Sequence, residues 1–200
     1  MRSRFACVAN KIFHMNTSTL SLALVSLFAA LIAVFGLIPK IDLPLGVPIT
    51  LQTLGVMLAG CMLGAKRALQ AVALFLAAVA LGLPLLSGGR GGIGVFFAPA
   101  SGYLIGWPLG AFVTGWVMSL LPTGSPRRSA ISAFMACVIG GLLVVHVCGV
   151  IGLVHIANLT WEQAIMGTLV FVPGDLIKCA LCATVVHTVA RGLPDWRFGG

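Results

Sequence analysis

Six apolar segments run along the chain, at roughly 19–38, 49–64, 67–86, 102–121, 129–154 and 173–190, and polar residues gather between them. An α-helix needs about 20 apolar residues to cross a bilayer, and most of the segments are close to that length. The second is short, so it tilts little or ends below one interface. Proline and glycine punctuate the connections, at Pro39 to Pro48, Ser87 to Pro99, and Pro122-Thr-Gly-Ser-Pro126. The pattern predicts an all-α membrane protein with six transmembrane helices over 19–190. A short basic extension over 1–18 and a tail over 191–200 complete it, and little is left for a soluble domain.

Composition agrees. The chain is 60% hydrophobic and 8% charged, with a mean hydropathy of +1.12, where a soluble domain carries about 25% charged residues. The formal charge of +8 raises the possibility of nucleic-acid binding, but the charges sit in short loops between apolar runs, which is the pattern of membrane topology. The basic start, Arg2 and Arg4 through Lys11, resembles a signal peptide. The run from Leu20 to Ile38 is long enough to span and no small-residue cleavage site follows, so it reads as an uncleaved first helix. Met15 offers an alternative start that would make residues 1–14 dispensable. The cysteines (Cys7, Cys61, Cys137, Cys148, Cys179 and Cys182) have no metal-site spacing and read as small apolar packing residues.

Lysine and arginine placement sets the orientation. With the N-terminus in the cytoplasm, nine of the 12 lie inside: Arg2, Arg4, Lys11, Lys66, Arg67, Arg127, Arg128, Arg191 and Arg197. Only Lys40 and Arg90 fall outside, and Lys178 lies in the membrane. Both termini are then cytoplasmic. The outer connections, 39–48, 87–101 and 155–172, are the longer ones. Thr160-Trp-Glu-Gln163 in the last of them has the form of a capping box and predicts a short helix near the outer interface.

Asp175 and Lys178 interrupt the last apolar segment. An ionisable side chain at a helix centre in lipid costs about 2.5–3.5 kcal/mol on insertion scales, so such a residue is by default a functional candidate. Pro173-Gly174 starts the helix, Asp175 falls in its first turn where the helix dipole favours an anion, and Lys178 follows on the same face about 5 Å deeper. Two readings stand: an ion pair that neutralises itself for folding, and a polar ligand site reached from outside.

Three further features lie at the same depth. Thr50 and Gln52 sit at the start of the second segment, where a helix start and polar side chains suit a small polar molecule; simple N-capping by Thr50 is the alternative. Arg90 lies within Ser87-Gly-Gly-Arg-Gly-Gly92, either a solvated loop or a lid that brings a guanidinium to an anionic group. No phosphate-binding loop motif occurs. Tyr103 and Trp107 share a helix face, as an interfacial belt or as a stacking wall. In the first segment, Ala29 and Ala33 form a small-xxx-small pair beside Ser26 and Ala30, suited to close helix contact. His146, His155 and His187 read as structural. The absence of a Ser-His or paired-acid arrangement leaves little support for a membrane enzyme acting on a lipid or cofactor. A ligand-free structural subunit is the other alternative.

Four stretches together resemble the BioY family, the biotin-capture S components of energy-coupling factor (ECF) transporters: Leu45-Gly-Val-Pro-Ile-Thr-Leu-Gln-Thr-Leu-Gly-Val-Met-Leu-Ala-Gly60, Gly82-Leu-Pro-Leu-Leu-Ser-Gly-Gly-Arg-Gly-Gly-Ile-Gly-Val95, Gly102-Tyr-Leu-Ile-Gly-Trp-Pro-Leu109 and Pro173-Gly-Asp-Leu-Ile-Lys178. The likeness runs from about residue 20 to 190. It implies six transmembrane helices in a bacterial cell membrane, biotin as ligand rather than cofactor, and no ATP hydrolysis by this chain. It also implies a transmembrane coupling (T) subunit and paired ATPase subunits as partners, or a homo-oligomer if the chain acts alone. On this resemblance Asp175 and Lys178 contact biotin, and Ala29 and Ala33 meet the coupling subunit. The chemistry of biotin then suggests the rest. Asp175 accepts the ureido N–H groups, Lys178 donates to the ureido oxygen or holds Asp175, Tyr103 and Trp107 pack on the bicycle, and Arg90 faces the carboxylate.

Overall fold

The computed structural model describes residues 17–39 and 49–199. The basic extension up to residue 16, with Met15, and Lys40 and the Leu45–Pro48 start of the first motif lie outside the described residues. Among the described residues the chain is helical, with no strand and a single isolated bridge between Leu86 and Arg90. The helices are α1 (Thr17–Gly36), α2 (Gln52–Leu63), α3 (Ala65–Ala80), α4 (Ser101–Leu120), α5 (Pro126–Ile156), α6 (Trp161–Leu169) and α7 (Val172–Gly192), with a 3₁₀ turn at Ile93–Phe97. Residues Cys137–Val144 in the middle of α5 are π-helical.

Each predicted segment carries a helix, and four of the helices (α1, α4, α5 and α7) are long and apolar enough to cross a membrane. The chain is a multi-pass membrane protein. The other two are shorter than expected. α2 has 12 residues and α3 has 16, or about 18 and 24 Å at 1.5 Å per residue against a hydrocarbon core of about 30 Å. The third segment stops being helical at Ala80 rather than running to 86, because Gly82 has φ +102° and Pro84 follows it. Gly64, at φ 80° and ψ 172°, turns α2 sharply into α3. The predicted capping box is present: Thr160 Oγ1 accepts from the Gln163 N–H and Gln163 Oε1 accepts from the Thr160 N–H. It opens α6, a seventh, short helix. At the other end of the bundle Ser125 caps α5 by accepting from the Arg128 N–H, with Pro126 in the first turn.

α4 is the hub, packed on α2, α3 and α5. Lipid offers no hydrophobic drive to join helices, so close backbone approach through small residues has to supply the contact. Gly102, Gly106 and Gly110 line one face of α4 at four-residue spacing and receive α5. A Cβ on Gly102 would lie 2.5 Å from the Cys148 carbonyl oxygen and 2.7 Å from the Gly152 Cα. Large apolar side chains such as Leu22, Leu27, Ile105, Leu143 and Ile151 face outward, as expected of a surface solvated by lipid. The polar side chains Gln52, Thr114, His146, Asp175 and Lys178 are buried inside. The C-terminal tail folds back on the bundle: Trp196 Nε1 donates to the Met62 carbonyl and the Gly199 N–H to the Cys61 carbonyl.

Candidate functional site

α2, α4 and α7 all begin at one end of the bundle, and Lys66, Arg67, Arg127, Arg128 and Arg191 lie at the other, where α3 and α5 begin and α7 ends. At the first end a cavity of about 560 Å³, counted with its open mouth, is lined by all seven predicted ligand residues: Thr50, Gln52, Arg90, Tyr103, Trp107, Asp175 and Lys178.

The floor is a polar node held by three helices. Phe171 precedes α7 and Pro173 sits in its first turn. This places Asp175 and Lys178 on one face, buried at 5% and 7% exposure. Lys178 Nζ donates to Asp175 Oδ1 at 2.7 Å and to Thr53 Oγ1 on α2 at 2.8 Å. His146 Nε2 on α5 lies 2.8 Å from Asp175 Oδ2. Removing charges from water costs several kcal/mol per ion unless geometry and hydrogen bonds compensate, and here each carboxylate oxygen is held. A carboxylate has about four lone-pair sites, so Asp175 still has acceptor capacity towards the cavity.

His146 was expected to be structural, yet it sits in the node. The π-helical turn ends at Val144, immediately before Val145 and His146, both of which line the cavity. Such a turn re-phases the helix after it and recurs at functional sites. Thr53 and Phe171 also line the cavity without having been singled out as ligand contacts. The Phe171 ring lies 5.9 Å from Tyr103 and 6.4 Å from His146. The aromatic pair on α4 points inward. Tyr103 and Trp107 are 8% and 5% exposed, which excludes an interfacial belt. Trp107 leans on Phe75, and the Tyr103 hydroxyl is 2.7 Å from Thr168 Oγ1 on α6. Gly149 on α5 lies against the Tyr103 ring, where a Cβ would collide with it.

Gln52 and Thr50 behave differently from the free donors suggested by their position. The Gln52 amide is committed to backbone: Nε2 donates to the Ile32 and Leu85 carbonyls at 3.2 and 3.1 Å, and Oε1 accepts from the Ser87 N–H at 3.1 Å. It ties α1 and the glycine-rich loop to α2. Thr50 is not the N-cap of α2, because Leu51 takes that position without a side-chain cap. The glycine-rich loop is an ordered hairpin rather than a loose solvated segment. Leu86 and Arg90 exchange backbone hydrogen bonds at 3.0 and 3.2 Å across Ser87, Gly88 and Gly89. Gly88 and Gly89 have φ 80° and 69°, the left-handed region that glycine enters without steric cost. Arg90 donates its Nε to the Ser87 carbonyl at 3.3 Å.

Two other groups of residues lie away from the cavity. Ala29 packs into the core and Ala33 is half-buried, whereas Ser26 and Ala30 are the exposed small residues of α1. Cys61, Cys137 and Cys182 do form a ligand-like group, with sulfurs all within 4.8 Å of one another. They are far apart in sequence and are gathered only by the packing of α2, α5 and α7.

Known proteins place this geometry in context. The family model described as "BioY family" matches residues 9–195. The biotin transporter BioY of Rhizobium etli is 45% identical over 180 residues, covering 88% of this chain and 96% of the relative. That of Rhodobacter capsulatus is 44% identical over 188 residues, covering 88% and 95%. A crystal structure of the S-component for biotin from an ECF-type ABC transporter superposes with a TM-score of 0.81 at 32% identity, covering 88% of this chain and 94% of that one. The chain belongs to the BioY family.

Proposed function

We infer that this chain is a biotin-capture subunit of an ECF-type transporter, a transporter component rather than an enzyme, taking biotin from the external face of a bacterial cell membrane. The observation that carries the reading is the convergence of a buried Asp175–Lys178–His146 node and an aromatic wall in one cavity. α1, α2, α3, α4, α5 and α7 are the six spans and α6 lies at the outer interface. Both termini are cytoplasmic, because the basic end of the bundle is opposite the cavity.

In the bound state Asp175 accepts the ureido N–H groups, with Lys178 and His146 holding the carboxylate still. Lys178 is thus a positioning residue first, since its ammonium already serves Asp175 and Thr53. Tyr103, Trp107 and Phe171 enclose the apolar bicycle and chain. Arg90, anchored on its turn through Nε, offers its terminal amino groups to the biotin carboxylate, and Gln52 and Thr50 shape the opposite wall. The partners are a transmembrane coupling subunit and paired ATPases, or further copies of this chain if it acts alone. The outward face of α1 is where coupling occurs: Ala30 and Ser26 meet the partner first, Ala33 lies at the edge, and Ala29 keeps α1 close to the bundle. Titration of the detergent-purified protein with biotin, thiamine and riboflavin tests the reading. Tight binding of biotin alone, without turnover, is expected; folded protein that ignores biotin would refute it.

A further inference from the structure

Below the cavity floor the same three helices meet again. Cys61 on α2, Cys137 on α5 and Cys182 on α7 are each fully buried, and their sulfurs all lie within 4.8 Å of one another, with Cys61 and Cys137 at 3.6 Å. Cys182 follows Lys178 by four residues, about 6 Å along the helix. Packing alone asks for small apolar side chains there, and Ala133 and Ala136 beside the cluster show that alanine fits this core.

The triangle has the dimensions of a metal site. Metal–sulfur bonds of about 2.3 Å put the three sulfurs of a trigonal complex about 4 Å apart, inside the observed range. The surroundings select the ion. Met57, Met118 and Val186 belong to the same buried apolar cluster as the thiols. Zinc is almost always four-coordinate in structural sites; the triangle offers three ligands, and Cys179, a further buried thiol of this core, lies outside it. Soft thiolates suit Cu(I), which does not require the fourth ligand that structural zinc takes. The core is covered at the basic end of the bundle. There Trp196 and Gly199 hold the tail over Met62 and Cys61 through single hydrogen bonds, with Phe198 packed on the same core.

We propose that Cys61, Cys137 and Cys182 form a three-coordinate site for one soft univalent cation of the Cu(I) class, buried beneath the ligand cavity and covered by the C-terminal tail. Binding displaces thiol protons and ties α2, α5 and α7 together at a second level. The proposal is independent of the identity of the ligand in the cavity above.

The test uses the full chain, reduced and anaerobic in detergent, titrated with Cu(I) held by a chromogenic chelator. One equivalent per chain should transfer, with ultraviolet thiolate-to-copper absorption and a three-sulfur first shell by X-ray absorption. The combined Cys61→Ala, Cys137→Ala and Cys182→Ala variant should bind at least 100-fold more weakly, and Cys148→Ala should match the parent. If the triple variant does not elute as a monodisperse species, the single Cys137→Ala variant serves instead, with at least a tenfold loss. Surrender of all copper by the parent, equal retention by a folded variant, a first shell of other than three sulfurs, or equal retention of Zn(II) would each overturn the proposal.

Discussion

The two levels at which α2, α5 and α7 meet are built from opposite materials. At the outer level Thr53, His146, Asp175 and Lys178 form a node in which each charged or polar group has a partner, and the node opens into a cavity. About one turn further along α7, Cys179, Cys182 and Val186 pack with Cys61, Cys137 and Met57 in a closed core. The lesson concerns where a membrane bundle tolerates ionisable groups. They are placed where a cavity and three helices share the desolvation, and the neighbouring turn stays apolar enough to hold the helices in register. The outer level should therefore fail sharply when one partner is removed, and the inner level gradually.

The largest effect should come from Asp175→Leu, which strands Lys178 and His146 in a buried site. Breaking a buried pair from one side costs about 3–5 kcal/mol, visible as a large drop in thermal unfolding temperature in detergent. Asp175→Asn keeps the shape and should weaken biotin binding at least tenfold, about 1.4 kcal/mol, by calorimetry. Unchanged affinity in that variant would remove Asp175 from the ligand contacts.

His146→Leu comes next. It removes a hydrogen bond to a charged group, a class of bond worth about 1.5–3 kcal/mol, and should lower both unfolding temperature and biotin affinity. Because glutamine can restore a donor to Asp175 Oδ2, His146→Gln should recover part of both; equal losses for the two variants would mean that the ring rather than its hydrogen bond matters. Arg90→Ala should reduce biotin affinity more than that for biotin amide in parallel titrations, and equal losses would place the ligand carboxylate elsewhere. Tyr103→Phe should cost about 1 kcal/mol through the hydroxyl contact with Thr168 and leave the stacking wall in place. Smallest for binding is Ala30→Trp on the outward face of α1. Biotin affinity should not change, while uptake by cells carrying the coupling partners falls; unaffected uptake would shift the docking face away from α1.

Much of the outer level was legible in the sequence, because its parts lie at the starts of apolar segments where proline, glycine and isolated charges are visible. Asp175, Lys178, Arg90, Tyr103 and Trp107 all reach the cavity they were expected to share. His146 escaped because it sits in the middle of an apolar span, 29 residues from its partner. The rule that singled out Asp175, that an ionisable residue in a span needs a reason, applied equally to it. The amide of Gln52 looked available because its acceptors, the Ile32 and Leu85 carbonyls, are backbone groups that no sequence pattern marks. The thiol cluster was invisible for a related reason: Cys61 and Cys137 are 76 residues apart, and helix packing alone brings them together. The shortened α3 was readable in principle from Gly82 and Pro84, which break the helix while the apolar run continues.

The account's central claim is that biotin lies on the Asp175 node. The most direct measurement is the structure of the biotin-bound protein, read at the distance between the ureido ring and Asp175. The account predicts ureido nitrogen within hydrogen-bonding distance of an Asp175 oxygen, with His146 and Lys178 still holding the carboxylate. Biotin bound away from the cavity, or in it with Asp175 touching only His146 and Lys178, would contradict it.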